Sequence, residues 1–179
     1  MSPPTETPLR YDTRTIALHW ITAALVVALW VMGQTIDWFA KGDPRVIARS
    51  AHFATGAALV LVLLRRIWWR LGAGSRLPPA DAGALGAVTT ATHRALYVLL
   101  VATVLLGLAN AWVRGDTVFN LFVIPAFEPG DTGLRKAVEE THSWSANILL
   151  TVAAMHAAAA GFHHYVRKDD VLKRMLSRP

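Results

Sequence analysis

The sequence predicts an all-α integral membrane protein, a four-helix bundle with both termini on the cytoplasmic side. Of its 179 residues, 54% are hydrophobic and only 17% are charged. The apolar residues fall in four runs long enough to cross a bilayer core about 30 Å thick. A single domain covering residues 1–179 is enough for a chain of this length.

Four membrane spans are expected, at residues 16–39, 46–70, 85–113 and 136–165. Trp20 and Trp38 lie near the two ends of the first span, as interfacial anchors do. The link 41–45 is so short that the second helix must run antiparallel to the first. The longest loop, 114–135, contains an apolar piece that is expected either to lie against the membrane surface or to cap the bundle.

The distribution of lysine and arginine predicts the orientation. The tail 1–15, the segment 65–82 and the C-terminal tail hold 11 of these residues, and the opposite side holds 6. Basic residues accumulate in cytoplasmic loops, so both termini are expected there. We call the side with the termini inner and the other side outer. The tail 1–15 is expected to be flexible rather than a cleaved signal peptide, since no clear cleavage site follows the first apolar run.

Composition excludes several kinds of chemistry. The chain has no cysteine, which rules out disulfides, iron–sulfur clusters, thiol catalysis and covalent attachment of c-type haem. Any cofactor must therefore be held non-covalently. The net charge of +6 fits the cytoplasmic loops of a membrane protein, and no nucleic-acid partner is expected.

Four histidines can be paired by their depth in the membrane. His142 and His156 are 14 residues apart on the fourth span, which places them about 40° apart around a helix and roughly 21 Å apart along it. His52, at the start of the second span, shares the outer level with His142. His19, at the start of the first span, shares the inner level with His156.

Two pairs of imidazoles at two levels are what two bis-histidine haems b require. The predicted iron ligands are therefore His19 with His156 and His52 with His142. Two other uses stay open at this point. A lone histidine in a membrane helix also serves simply to hydrogen-bond a neighbour, although ionisable groups there usually mark function. Zinc or copper would need three or four ligands at one depth, which the two-plus-two layout disfavours.

Two further residues suit haem binding. Arg66 lies 14 residues after His52 and hence on about the same helix face at the inner level, where its charge would suit the propionates of the inner haem. Gly56 lies one turn after His52, and its missing side chain would let a flat macrocycle approach the backbone. Gly107 and the alanines at 157–160 offer similar space, although small residues also pack membrane helices together.

Three histidines remain outside these pairs. His93 begins the third span on the inner side, where it is expected to contact a propionate or quinone, with replacement of His19 as a ligand left as an alternative. His163 lies seven residues beyond His156 on nearly the same stripe, and His164 points elsewhere. His163 is the candidate catalytic residue, as a quinone contact or proton relay. The alternative for both His163 and His164 is an interfacial side chain that reaches toward the headgroups.

The chain resembles the bacterial cytochrome b561 family, the four-helix di-haem b membrane proteins. The matching pieces are RYDTRTIALHW in the first span, H-x-x-x-G beginning at His52, and the pair H-x13-H followed by AAAAGFHHYVRKDDVLKRML. The resemblance implies ligation by the same two histidine pairs, a multi-pass location in the bacterial inner membrane and electron transfer to ubiquinone. It also implies that superoxide is the electron donor, as is proposed for some members.

Together these features predict a redox enzyme that carries electrons from superoxide or another periplasmic donor, through two haems b, to ubiquinone near His163. The outer segments are roughly neutral, so only local clustering of Arg114 with Arg135 and Lys136 could attract an anion. One alternative is an electron-conducting membrane anchor for a separate dehydrogenase or hydrogenase. Another is a non-redox or purely structural bundle. The expected partners are membrane lipid, quinone, the donor, and either a second copy of the chain or a dehydrogenase.

Overall fold

The computed structural model describes residues 10–78 and 82–176. Four long helices follow one another in the chain: α1 (Thr13–Thr35), α2 (Asp43–Leu71), α3 (Gly83–Arg114) and α4 (Thr132–Phe162). Each is long and apolar enough to cross a membrane. The predicted four-helix membrane architecture is therefore confirmed, whereas the single domain and the orientation of the termini stay predictions.

The helix ends differ from the predicted spans by a few residues. α1 begins at Thr13, inside the predicted flexible tail, and ends at Thr35, after which Ile36–Trp38 form a 3-10 turn. Residues 1–9 of that tail and 79–81 of the connector before α3 lie outside the described residues. The α-helical part of the fourth span ends at Phe162, three residues earlier than expected.

The residues at the helix ends explain where the helices begin and stop. Asp12 precedes α1 and accepts a hydrogen bond from the backbone N–H of Thr15 at 2.9 Å, and Asp131 caps α4 through Leu134 in the same way. Such caps satisfy N–H groups that a helix leaves unpaired. Gly115 ends α3 in the left-handed conformation, with φ of 63°, which glycine adopts without a steric penalty.

The bundle packs as two antiparallel pairs, α1 with α2 and α3 with α4, and α1 also packs against α4. The buried centre is a layer of four leucines from three helices: Leu59, Leu63, Leu100 and Leu149. Apolar side chains such as Leu61, Leu105 and Met155 are exposed on the outside of the bundle. That surface suits contact with lipid chains, which replace water around a membrane protein.

The loop before α4 contains a small β-hairpin. Strand β1 (Thr117–Val118) pairs antiparallel with β2 (Phe122–Val123). Phe119 and Asn120 in the turn both have positive φ angles, as tight hairpin turns require. The N–H of Phe119 donates to the hydroxyl of Ser50 at 2.8 Å, so the apolar piece of the loop packs against the outer end of α2.

The chain after α4 folds back beneath the inner end of the bundle. The N–H of Tyr11 donates to the carbonyl of Arg174, and the indole of Trp20 donates to the carbonyl of Met175 at 2.8 Å. Arg174 also donates to the carbonyl of Pro78. The basic tail is thus tied to the start of α1 and to the connector before α3.

Candidate functional site

The outer level brings together His52 from α2 and His142 from α4. Their ring centroids are 6.4 Å apart, with the ring planes at 89°. His142 also has a fixed orientation, because its Nδ1 lies 3.1 Å from the backbone carbonyl oxygen of Thr103. With the ring proton on Nδ1, the lone pair of Nε2 is free to bind a metal.

The inner level brings together His19 from α1 and His156 from α4. Their ring centroids are 6.5 Å apart at an angle of 74°. His93 of α3 lies at the same level, with its ring centroid 5.2 Å from that of His156. Three histidines from three helices therefore meet at the inner level, and two from two helices at the outer level.

The two pair separations fit a metal held between two imidazoles. An imidazole nitrogen binds a transition metal at about 2.0 Å, and the ring centre lies about 1.1 Å behind it, so two such ligands on opposite sides of a metal have centroids about 6 Å apart. Both pairs have this separation, whereas the contact of His93 with His156 is shorter. Within the described residues, no group of three or more His, Asp or Glu is arranged around a common metal position.

Glycines leave room beside the outer pair. A Cβ added to Gly107 would lie 3.1 Å from Cε1 of His142, and one added to Gly33 would lie 3.7 Å from Cε1 of His52. A Cβ on Gly56, the residue expected to face a macrocycle, would have open space around it. The outer level thus offers two opposed imidazoles and small residues around them, which fits a flat cofactor such as haem.

A layer of buried leucines separates the two levels. Leu149 lies seven residues from both His142 and His156 on α4 and is 6% exposed. Leu59, Leu63 and Leu100 surround it and are equally buried. Because α4 is one continuous helix over this stretch, the two levels are roughly 21 Å apart along it.

Arg66 lies at the inner level, on the side of His19. Its guanidinium NH2 is 3.2 Å from Nδ1 of His19, and its Cζ is 5.1 Å from the ring centroid of Tyr97. Arginine is always a donor, so this contact makes Nδ1 of His19 the acceptor and puts the ring proton on Nε2. Metal binding through Nε2 therefore requires Arg66 to release Nδ1.

The family comparison supports a haem site. A family model for prokaryotic cytochrome b561 matches residues 10–178. The chain belongs to the prokaryotic cytochrome b561 family. Its match with cytochrome b561 homolog 1 of Escherichia coli is 31% identical and covers 94% of this chain and 98% of the relative.

Two other relatives extend the comparison. The probable superoxide oxidase CybB of Yersinia pestis is 28% identical, with 94% of this chain and 97% of the relative covered. The cytochrome b562 of Cereibacter sphaeroides is also 28% identical, over 93% and 94% of the two chains. The predicted family is confirmed, and this cytochrome b561-family chain is a multi-pass electron-transfer protein of the bacterial inner membrane that binds haem b.

The outer cations are largely paired with carboxylates. Arg114 contacts Glu139 at 2.7 Å and shares the buried carboxylate of Asp116 with Arg49. Lys136 lies 3.8 Å from Glu140. The expected cluster of Arg114 with Arg135 and Lys136 is thus weakened by counter-charges on at least two of its members.

At the inner surface, His163 has a partner that the sequence interpretation missed. Its Nδ1 lies 2.6 Å from a carboxylate oxygen of Asp169. His164 instead contacts the ring of Tyr165. Nothing in the periodicity of a regular helix predicts the contact of His163 with Asp169, because the chain leaves the α-helical path after Phe162.

Proposed function

We propose that this cytochrome b561-family protein holds two haems b and carries electrons from superoxide on the outer side to ubiquinone on the inner side. The observation that carries the proposal is the presence of two histidine pairs. In each pair, the distance between the ring centroids fits a metal bound by both rings. When bound, haem iron supplies reversible one-electron transfer, which neither the imidazoles nor the leucine layer supplies.

The proposed roles of the residues differ between the two levels. At the outer level, His52 and His142 are the proposed iron ligands, and the carbonyl of Thr103 keeps the His142 ring in the tautomer that ligation needs. At the inner level, His19 and His156 are the proposed ligands. Arg66 is the proposed partner of an inner propionate, since it already lies beside His19.

Support for the two substrates comes from different sources. Superoxide is proposed because a relative of similar length is named as a probable superoxide oxidase. Ubiquinone is proposed on the inner side because His163 lies there, seven residues beyond His156. Between these two histidines the helix carries only small residues and Phe162, and a Cβ on Gly161 would meet no atom within 4 Å. A flat quinone ring has space to approach the helix there.

The test is a stopped-flow experiment on the purified chain in detergent. The protein should contain two haems b per chain, its haem absorption should show reduction when superoxide is added, and a soluble ubiquinone should then reoxidise it. A colourless protein, or one whose haems respond to neither reagent, would reject the proposal. Proteoliposomes with superoxide generated on one side also test the predicted orientation.

A second candidate is an electron-conducting anchor that receives electrons from a separate dehydrogenase. The pairing of Arg114 and Lys136 with carboxylates favours it, because paired cations attract a small anion poorly. The same experiment separates the two functions. An anchor would exchange electrons with quinone but show no rapid reduction by superoxide until its partner protein is added.

A further inference from the structure

The two levels of the bundle differ in the charge that surrounds their histidines. At the outer level, two cations are matched by two carboxylates. Arg49, one turn before the histidine of α2, lies 2.8 Å from Asp116. Arg114 lies 3.2 Å from the same carboxylate and 2.7 Å from Glu139, which is one turn before the outer histidine of α4. The charges next to the outer pair therefore cancel.

At the inner level, a cation lies beside a histidine without such a match. The guanidinium of Arg66 is 3.2 Å from Nδ1 of His19, and its Cζ is 5.1 Å from the ring centroid of Tyr97. The side chain thus reaches from α2 toward both α1 and α3. Among the residues that the structure describes, no carboxylate lies within ion-pair distance of this guanidinium. The charge of Arg66 is therefore not cancelled by a neighbouring side chain.

The other charged groups at this end of α2 are mostly cations as well. Asp12 accepts a hydrogen bond from the indole of Trp69. The guanidiniums of Arg14 and Arg65 lie 4.7 Å and 5.7 Å from the centroid of that indole ring. Arg70 is the next residue of α2. One carboxylate thus faces several arginines, so the inner level is net positive where the outer level is nearly neutral.

A positive charge favours the reduced form of a nearby haem. Reduction adds one electron at the iron, so a cation beside it stabilises the reduced state more than the oxidised state. This interaction weakens with distance and with screening by water. Arg66 is half-buried and lies 14 residues after His52, which is roughly 21 Å from the outer level along α2. Its charge therefore acts mainly on the inner level.

We propose that Arg66 makes the haem held at the inner pair the stronger electron acceptor of the two, so that electrons pass inward toward the higher potential. The inference rests on the proposed two-haem function. In this step one electron leaves the iron at the outer pair, which goes from ferrous to ferric. The same electron reaches the iron at the inner pair, which goes from ferric to ferrous. No proton is transferred, and no bond forms or breaks.

The direction of the effect is the same for both partners that Arg66 can have. A guanidinium that stays near His19 acts on the iron through its own charge. A guanidinium that pairs with a propionate neutralises an anion that would otherwise lower the potential. Replacing Arg66 by a neutral residue therefore lowers the potential of the inner haem in either arrangement.

The test is a redox titration of the purified protein, followed by haem absorption. His142→Ala and His156→Ala, each expected to keep one haem, assign the two midpoint potentials to the inner and outer levels. The wild type is then compared with Arg66→Gln, Arg66→Lys and the control Arg65→Gln, which removes the adjacent and exposed cation. The number of haems per chain is measured for every variant.

The inner haem should have the higher midpoint potential. In Arg66→Gln, the ratio of reduced to oxidised inner haem at a fixed potential should fall roughly tenfold, which is a shift of about 59 mV for a one-electron couple. The outer midpoint should move much less. Arg66→Lys keeps the charge and should keep most of the inner potential. Arg65→Gln should cause a smaller shift, because water screens an exposed charge.

The outcomes separate this proposal from the proposed function. Wild type with fewer than two haems per chain rejects the two-haem function itself. Two haems with an unchanged inner midpoint in Arg66→Gln leave that function standing and reject the role of Arg66. Equal shifts in Arg66→Gln and Arg65→Gln also reject it, in favour of a general effect of charge. If Arg66→Gln does not keep the inner haem, the single-haem variants decide: a higher inner midpoint supports the proposal, and an equal or lower one overturns it.

Discussion

The outer and inner levels of the bundle are built differently, although each presents a pair of opposed imidazoles. At the outer level His142 is already in the tautomer for metal binding, because a backbone carbonyl holds its Nδ1. At the inner level His19 is held by Arg66 in the opposite tautomer, and His93 adds a third imidazole. The outer level thus has an imidazole whose tautomer already suits metal binding, whereas the inner level has an imidazole held by an arginine and a further imidazole beside the pair.

The two ends of the bundle also differ in the contacts that their buried or capping carboxylates make. Beyond the outer pair lies a buried ion network in which Asp116, with a 6% exposed side chain, is shared by Arg49 and Arg114. Beyond the inner pair, one carboxylate, that of Asp12, ties helices together by hydrogen bonds from neutral groups. Buried ion pairs and neutral hydrogen bonds respond differently to mutation and pH, so the contrast can be tested.

The largest expected effect comes from removing a ligand. His142→Ala should lower the haem content from two per chain to one and leave the inner haem, while His156→Ala should do the reverse. His93→Ala is the matched control and should keep both haems, because its ring lies too close to His156 for the two to bind opposite sides of one iron. The measurement is the haem-to-protein ratio with absorption spectra. Loss of neither haem in His142→Ala, or of one in His93→Ala, would contradict the pairing.

The next largest effect is expected at the outer ion network. Asp116→Asn should lower the free energy of unfolding by about 3–5 kcal/mol, because two largely buried guanidiniums lose a shared carboxylate. The control is Asp37→Asn, which removes the pair with Arg45 in which the aspartate side chain is 80% exposed. That change should cost no more than about 1 kcal/mol. Unfolding in detergent, followed by circular dichroism of the helices, measures both free energies. Equal losses would show that the buried network stabilises the fold no more than the exposed pair does.

The sequence predicts the helices that hold these sites better than it predicts the contacts within them. The four helices follow from apolar length, and membership in the cytochrome b561 family follows from the histidine motifs. Thr103 could not be found in this way, because it holds His142 with a backbone carbonyl that every residue carries. Asp169 was missed because a regular helix does not bring it to His163, and the β-hairpin because its turn depends on positive φ angles at Phe119 and Asn120.

A smaller effect is expected from filling the space beside the outer pair. Gly107→Ala places a Cβ 3.1 Å from Cε1 of His142, so the ring must move by a few tenths of an ångström. We expect a cost of about 1–3 kcal/mol in the binding of the outer haem, measured by haem titration of the apoprotein. Gly33→Ala is the matched control, since its Cβ would meet His52 at an ordinary 3.7 Å. Similar haem affinity in both variants would show that His142 has room to move.

The smallest effect is expected at Asp12, which holds the inner end. Its carboxylate accepts hydrogen bonds from Thr15, from the indole of Trp69 at 3.0 Å and from the N–H of Ser75 at 3.0 Å. Burial raises the pKa of Asp12, but these hydrogen bonds outweigh it and hold the pKa far below its usual value. Asp12→Ala should cost about 0.5–2 kcal/mol at neutral pH, the usual loss for a helix cap.

The pH dependence tests whether the ionised form of Asp12 holds the inner end. A carboxyl group whose pKa is lowered by folding stabilises the protein above its unfolded pKa of about 4, and that contribution is lost as the pH falls toward the folded pKa. The difference in melting temperature between wild type and Asp12→Ala should therefore be constant from pH 7 to 5 and shrink below about pH 4. Asp170→Asn, at an exposed pair, should show a smaller difference at every pH. A gap between wild type and Asp12→Ala that stays unchanged down to pH 3 would mean that the ionised carboxylate is not what holds the inner end together.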